Sequence, residues 1–371
     1  MNENGTIVQD SIYSWMQGTF KEKGANSVAG KSALGSTRGR VRNENQDRAA
    51  VVMVSPNPSL SVPVQVAVLC DGIGGLRNGA EAATLAISSF ISQLVHLTDG
   101  NIHGFLERAA NFSNREVYSA YNGKGGCTLS AVSITASGVV DFVNYGDSRI
   151  YRYNAESLIQ LTTDDTLDGQ LAKMDRRAVN SFPEFKHLVQ FIGMEDRVES
   201  SSASGFKFEN HDRLLIASDG AYDVDSPTMQ KILANSTSAE DGVKKLLLIS
   251  EWLGGKDNAT AISIPAFLQV GEIKNTRNPL VYVWTWNAEF SFSYGSINTY
   301  YENNSMQPKA AVNRSVTAKR TNLEKHKKKK NTTINQSKIG SNIFQRDNDI
   351  GNSPKEETPQ LRIEFDKEGE E

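Results

Sequence analysis

The sequence predicts an α/β sandwich, four layers in the order α-β-β-α, with two antiparallel β-sheets packed face to face and helices outside. Three observations carry this expectation. Short apolar, β-branched runs recur between residues 49 and 264, and many of their connections are too short for a crossover helix. Segments of helical periodicity fall in pairs before and after the central strands. The apolar runs stop near residue 270 although the chain has 371 residues, so the core belongs to the first two-thirds.

Residues 1–33 are polar and Gly/Ser-rich towards their end and read as an N-terminal arm; the main domain is set at 34–268. Ala49–Val54 and Val64–Cys70 read as strands, the second stopping at the bend Asp71-Gly72-Ile73-Gly74-Gly75. A helix follows, with Asn78 as cap and Glu81 as its capping-box partner, carrying Ala83, Ala86, Ile87, Phe90, Ile91 and Leu94 on one face. A second helix covers much of Ile102–Tyr121. The period then shortens, and Thr128–Thr135, Val139–Tyr145, Ile150–Tyr153 and Leu158–Leu161 read as successive strands. Residues 165–205 are less regular, with a short helix expected near Phe185–Ile192. Arg213–Ser218 is a strand ending in Asp219-Gly220, and Ser226-Pro227 starts a helix because Pro suits the first helical position. A helix over Ala239–Leu253 ends at Gly254-Gly255, and the strand Ala259–Ile264 follows. Residues 269–303 form an aromatic-rich extension in which Pro279–Ser293 alternates like a hairpin or a sheet edge that meets another chain. Residues 304–371 form a polar, charged tail read as disordered.

The bulk properties exclude several classes. A net charge of −3 gives no general case for a nucleic-acid partner, which needs clustered positive charge. Cys70 and Cys127 each lie in an apolar stretch and read as buried, reduced thiols rather than a zinc site or disulfide framework. No signal peptide and no membrane-spanning apolar stretch is visible, so a cytoplasmic protein is the expectation. Histidine is scarce and forms no ligand pair, which argues against a zinc hydrolase. Ser148 reads as a turn hydroxyl, because no Gly-x-Ser-x-Gly elbow surrounds it.

What remains is a set of aspartates in one kind of setting. Asp71 and Asp219 each follow an apolar strand and precede Gly; Asp147 sits between two strands after Gly146; Asp257 precedes the last strand of the domain. One Asp-Gly pair alone is an ordinary turn. Several carboxylates converging without counter-charge would repel, and one would take up a proton. Divalent magnesium or manganese resolves that conflict, since hard cations prefer oxygen ligands. Two such ions about 3.5–4 Å apart can share a carboxylate and a hydroxide nucleophile.

In its ordered motifs the chain resembles the metal-dependent serine/threonine protein phosphatases of type 2C. Arg42-Asn43-Glu44-Asn45-Gln46-Asp47 is similar to that family's first motif, and Asp71-Gly72-Ile73-Gly74-Gly75 to its Asp-Gly-x-Gly-Gly. Gly126-Cys127-Thr128, Gly146-Asp147-Ser148-Arg149, Leu161-Thr162-Thr163-Asp164-Asp165-Thr166, Ser218-Asp219-Gly220 and Asp257-Asn258 complete the order. The resemblance implies a phosphatase acting on phosphoserine and phosphothreonine by attack of a metal-bridging hydroxide, without a phosphoenzyme. It implies that Asp71 bridges two Mn2+ or Mg2+ ions, that the Gly72 carbonyl binds one, and that Asp219 and Asp257 hold the other. By the same resemblance Asp147 would help form a third, weaker site with Asp219, Arg42 would clamp the substrate phosphate and Asp47 would orient a metal-bound water. Asn258 is read as supporting the Asp257 loop.

Three departures stand out. Gln46 replaces an acidic residue found in many members, Ile73 stands where some carry a proposed general-acid His, and Asp165 replaces a common His outside the direct ligands. Gln46 and Ile73 support an alternative, a catalytically weak module of the same fold that binds phosphoproteins. The bacterial-like motif forms imply phosphorylated protein substrates of a serine/threonine kinase. The Lys327–Lys330 run and the aromatic segment before it are candidate docking elements for a protein partner, against the plainer reading of a solvated charge run and a peripheral hairpin.

Overall fold

The computed structural model describes residues 3–21, 23–73, 78–99, 102, 104–169, 188–195, 201–268, 277–293 and 321–322. All belong to the first of two contact units, Met1–Glu324. Two antiparallel sheets organise them. The six-stranded sheet runs β1 (Gly24–Val28), β2 (Ser32–Thr37), β11 (Ala259–Pro265), β10 (Arg213–Ala217), β7 (Arg149–Tyr153) and β8 (Leu158–Gln160). The eight-stranded sheet runs β14 (Thr321–Asn322), β13 (Ala288–Ser293), β12 (Leu280–Trp284), β3 (Arg48–Val54), β4 (Val64–Cys70), β5 (Leu129–Thr135), β6 (Val139–Tyr145) and β9 (Ala203–Lys207).

Helices α1 (Glu3–Met16), α2 (Gly79–Gln93) and α3 (Phe105–Tyr121) cover the outer face of the larger sheet. Helices α4 (Ser226–Ala234) and α5 (Ala239–Trp252) lie on the smaller one, while β2, β10 and β11 face β3 and β4 across the interior. The expected four-layer sandwich is therefore present. The central strands are covered on both faces, which is why β3, β4 and β5 are buried at every position instead of alternating. Gln65, inside β4, donates through its amide nitrogen to the Ala29 carbonyl at 3.3 Å and to Ser32 Oγ at 3.2 Å, while its Oε1 is buried with no hydrogen-bond partner.

Three local expectations change. The segment read as an N-terminal arm contains α1, whose Val8, Ile12, Trp15 and Met16 enter the main core with Phe20 just beyond it. Trp15 packs on Phe290 of β13 with ring centroids 5.4 Å apart. Apolar spacing hidden in a polar segment produced this helix, and burial against α2 supplies what its composition lacks. Asn78 does not cap α2 through its side chain: it is left-handed (φ 61°), and only its carbonyl starts the helix, accepting from Ala82 N at 2.8 Å. By contrast α4 starts at Ser226-Pro227 as expected, with Pro227 in the first turn and Asp225 as side-chain cap, its Oδ1 accepting from Thr228 N at 3.0 Å. The short helix expected near Phe185–Ile192 is absent from its described part, where Leu188 bridges Thr166 and Ile192 bridges Cys127.

The aromatic extension is a hairpin. β12 pairs with β13 and also with β3, Val283 opposite Val52, so it lengthens the larger sheet. The Lys327–Lys330 run and the acidic end lie outside the described residues.

Candidate metal and phosphate site

The site is built where five strand ends and loops meet. β4 delivers Asp71 and Gly72. They are pinned to the segment before β5: Asp71 N donates to Thr128 Oγ1 at 3.0 Å, Thr128 N donates to the Asp71 carbonyl at 2.8 Å, and Ile73 N donates to the Gly126 carbonyl at 3.1 Å. Gly72 is required there, because a Cβ would lie 2.5 Å from the Gly79 carbonyl at the start of α2. Asp147 follows Gly146, whose φ of 104° suits glycine. Its carbonyl accepts from Tyr222 Oη at 2.8 Å. Asp219 opens a short 3-10 turn directly after β10. Asp257 precedes β11, and its Oδ1 accepts from Asn258 N at 2.8 Å.

Asn258 has the supporting role expected for it. Its amide donates to the carbonyls of Arg38 and Glu44, each at 2.9 Å, and its Oδ1 accepts from Gln46 N at 2.8 Å. The loop carrying Arg42 is thereby fastened to the loop carrying Asp257. Arg42 Nη2 donates to Asp257 Oδ2 at 2.6 Å, so the guanidinium stands at the rim of the carboxylate cluster. Among the described residues, no three His, Cys, Asp or Glu side chains already close into a metal cage.

The carboxylates nevertheless feel one another. Burial, then the charges of Asp47, Asp219, Asp147 and Asp257, pushes Asp71 well above the usual carboxylate range. Burial and the charges of Asp257, Asp147 and Asp47 lift Asp219 to about 7. Burial and Asp164 lift Asp147 to about 6. Asp47, fully buried, is raised to about 6, chiefly by desolvation. Asp47 Oδ1 and Asp219 Oδ1 are buried with no hydrogen-bond partner. Hard oxygen donors, mutual repulsion and orphaned lone pairs together fit a divalent cation.

A buried circuit of side chains that sequence reasoning missed holds Asp47. Ser218 Oγ donates to Asp47 Oδ2 at 2.9 Å and accepts from Thr260 N at 2.9 Å. Thr260 Oγ1 meets Ser36 Oγ at 2.7 Å, and Asn45 Nδ2 donates to Ser36 Oγ at 2.8 Å. Asp47 N donates back to Asn45 Oδ1 at 3.1 Å, closing the ring. The only sequence signal was position: Asn45 and Ser218 sit inside motifs whose aspartates drew the attention. Ser148, read as a turn hydroxyl, is buried and shares a 2.8 Å contact with Thr128 Oγ1, behind the Asp71 backbone. Asp165 Oδ2 accepts from Gly146 N at 3.1 Å and so steadies the turn before Asp147. The two cysteines are free and buried, and they adjoin each other, a proximity their distance in sequence concealed.

A cleft of about 560 Å³ opens from Asp147, Asp219 and Asp257 towards Asp164, Tyr222 and Lys256. One wall is rigid: Arg149 grips Asp164 through Nε and Nη2 at 2.8–3.1 Å and lies 4.0 Å over the Tyr222 ring.

No family model matches the chain. Among curated proteins, it is 29% identical over 244 residues to the serine/threonine phosphatase stp of Listeria monocytogenes, covering 61% of this chain and 92% of the relative. Among solved structures, it resembles the PPM Ser-Thr phosphatase MsPP of Mycobacterium smegmatis with a TM-score of 0.53 and 25% identity, over 65% of this chain and 99% of that one. It also resembles the catalytic domain of PstP, solved in complex with 2 manganese ions, with a TM-score of 0.50 and 26% identity over 62% and 96% of the two chains. Its sandwich fold, its ordered strand-end aspartates and these relatives identify the chain as belonging to the bacterial PPM, or type 2C, family of serine/threonine phosphatases.

Proposed function

We propose that the chain is a metal-dependent protein phosphatase that hydrolyses phosphoserine and phosphothreonine in proteins phosphorylated by a serine/threonine kinase. The observation that carries the reading is the convergence of Asp47, Asp71, Asp147 and Asp219, with raised affinity for protons and two orphaned buried oxygens, beside Asp257 and Arg42. A site that holds protons because it lacks counter-charge is a site suited to cations.

Asp71, the Gly72 carbonyl, Asp219 and Asp257 would hold two Mn2+ or Mg2+ ions, and Asp147 with Asp219 a third, weaker one. When bound, such ions offset phosphoryl charge and activate water for attack on phosphorus. The rest of the chemistry belongs to the chain. Arg42 stands at the cluster's rim, where its planar fork suits phosphate oxygens, and it exchanges Asp257 for the phosphate when substrate enters. Asp47, fixed by Ser218 and Asn45, orients the attacking water. Ile73 carries no proton, so the leaving oxygen takes its proton from solvent held in the site.

The test is phosphate release from a phosphothreonine peptide with manganese or magnesium, against a chelator control and Asp71→Ala. Metal-dependent release that the variant loses is the expected outcome. A folded protein that releases no phosphate with either ion would instead favour the phosphoprotein-binding module, for which Gln46, Ile73 and the Arg42–Asp257 pair speak.

A further inference from the structure

Eight large apolar side chains are exposed among the described residues, and four of them fall on the last turns of α5, the residue after it and the loop before Arg42: Val41 (66%), Leu248 (65%), Trp252 (78%) and Leu253 (43%). Leu248 and Trp252 are four residues apart on α5 and share one face, while Val243, Leu246 and Leu247 turn inward. Val41 belongs to the loop before Arg42, and the Gly255 carbonyl accepts from both Arg40 N at 2.7 Å and Val41 N at 3.2 Å. Trp252 is three residues from Gly255, at most about 10 Å along the chain. Val41, Trp252 and Leu253 therefore border the loop that presents Arg42 and Asp257, with Leu248 one turn further back on α5.

Charge limits what can cover them. Arg40 is held by the Gly255 carbonyl, Lys256 follows that glycine in the chain and lines the cleft, and Arg42 is paired with Asp257 at 2.6 Å. The one acidic neighbour on the last turn of α5, Glu251, is engaged by Lys23 at 2.8 Å and Thr37 at 2.6 Å. An apolar face edged by cations and opening onto a phosphate-binding rim is complementary to a phosphorylated segment with bulky apolar residues near the phosphate.

We propose that this face is a substrate-docking surface that selects phosphorylated protein segments carrying a large apolar residue within a few positions of the phosphoserine or phosphothreonine. The proposal rests on the phosphatase reading above and adds a sequence preference to it. Trp252 supplies a broad rigid surface at little entropic cost, and Leu248, Leu253 and Val41 extend it.

The experiment measures equilibrium binding by fluorescence anisotropy. Two labelled peptides carry a non-hydrolysable phosphonate in place of the phosphate and differ only in flanking leucines against flanking serines. The native full chain, with manganese, is expected to bind the leucine peptide about tenfold tighter. Trp252→Ala should shrink that ratio to less than about twofold, and Trp252→Phe should retain most of it. Equal binding of the two peptides by the native chain overturns the proposal, as does a preference that survives Trp252→Ala or a failure of both peptides to bind. A concentration-dependent dimer that Trp252→Ala abolishes also overturns it, because the face would then belong to a second copy. Turnover of p-nitrophenyl phosphate by the native chain reports separately on the phosphatase reading, since that compound has no flanking residues.

Discussion

Replacing Asp219 with Asn should make the chelated protein more stable while removing its activity. Burial and the charges of Asp257, Asp147 and Asp47 lift the Asp219 carboxyl from 3.8 to about 7. Below about pH 4 both folded and unfolded chains carry the proton, and the residue contributes nothing. Between about pH 4 and 7 the unfolded chain releases the proton while the fold retains it, so stability falls as pH rises. Above about pH 7 the folded carboxylate ionises too, and the cost stays at its full value, at most ~4 kcal/mol at ~1.4 kcal/mol per pH unit. The neighbouring aspartates share this repulsion, so about half of it, ~2 kcal/mol, is the expected gain from Asn. In a domain of this size that corresponds to roughly 4–8 °C in midpoint. Thermal unfolding in chelator at about pH 8 measures it, and repetition near pH 4 should show the gain vanish. Manganese should stabilise the native chain far more than the variant. A chelated Asp219→Asn protein no more stable than the native one at the higher pH would refute the account of a site strained by its own charge.

Other substitutions probe the scaffold. Ser218→Ala removes the donor to Asp47 and the acceptor for Thr260 N, so it should cost ~1–3 kcal/mol in urea denaturation and lower kcat more than KM changes. Trp15→Ala should cost ~3–5 kcal/mol in the same assay, because its ring is buried against Phe290; a loss below ~1 kcal/mol would mean α1 is no part of the cooperative core. Gly72→Ala places a Cβ 2.5 Å from a backbone carbonyl that no side-chain rotation can clear, so manganese affinity by calorimetry should fall at least about tenfold.

The strands were legible because their apolar runs are bounded by turn residues, and Val139–Tyr145 has the limits read from its pattern. The four metal-binding aspartates proposed from the sequence share a recognisable setting, strand end plus glycine or loop, and the fold brings them within electrostatic reach of one another. The Asp47 circuit was not legible. Ser36, Thr260 and Ser218 are ordinary strand residues in sequence, and only the pairing of β2 with β11 and β11 with β10 makes their hydroxyls neighbours. Helix α1 was missed because its polar composition outweighs a narrow apolar stripe, and burial that depends on distant β13 cannot be read from local pattern. Asn78 drew a capping assignment by residue type, yet the close approach of Gly72 to Gly79 accompanies a left-handed backbone there.

β11 occupies the middle of its sheet, between β2 near the start of the domain and β10 just before α4. During synthesis, therefore, β2 and β10 emerge as two strands with a gap between them, and neither edge is paired until β11 leaves the ribosome. This last strand of the smaller sheet is preceded by Asp257 and Asn258, and with them comes the fastening of the Arg42 loop. A chain interrupted before that point would expose two adhesive edges and an unfinished carboxylate cluster. Closure of the smaller sheet and assembly of the site are thus a single event, reached while β12 and β13 of the other sheet are still to be made.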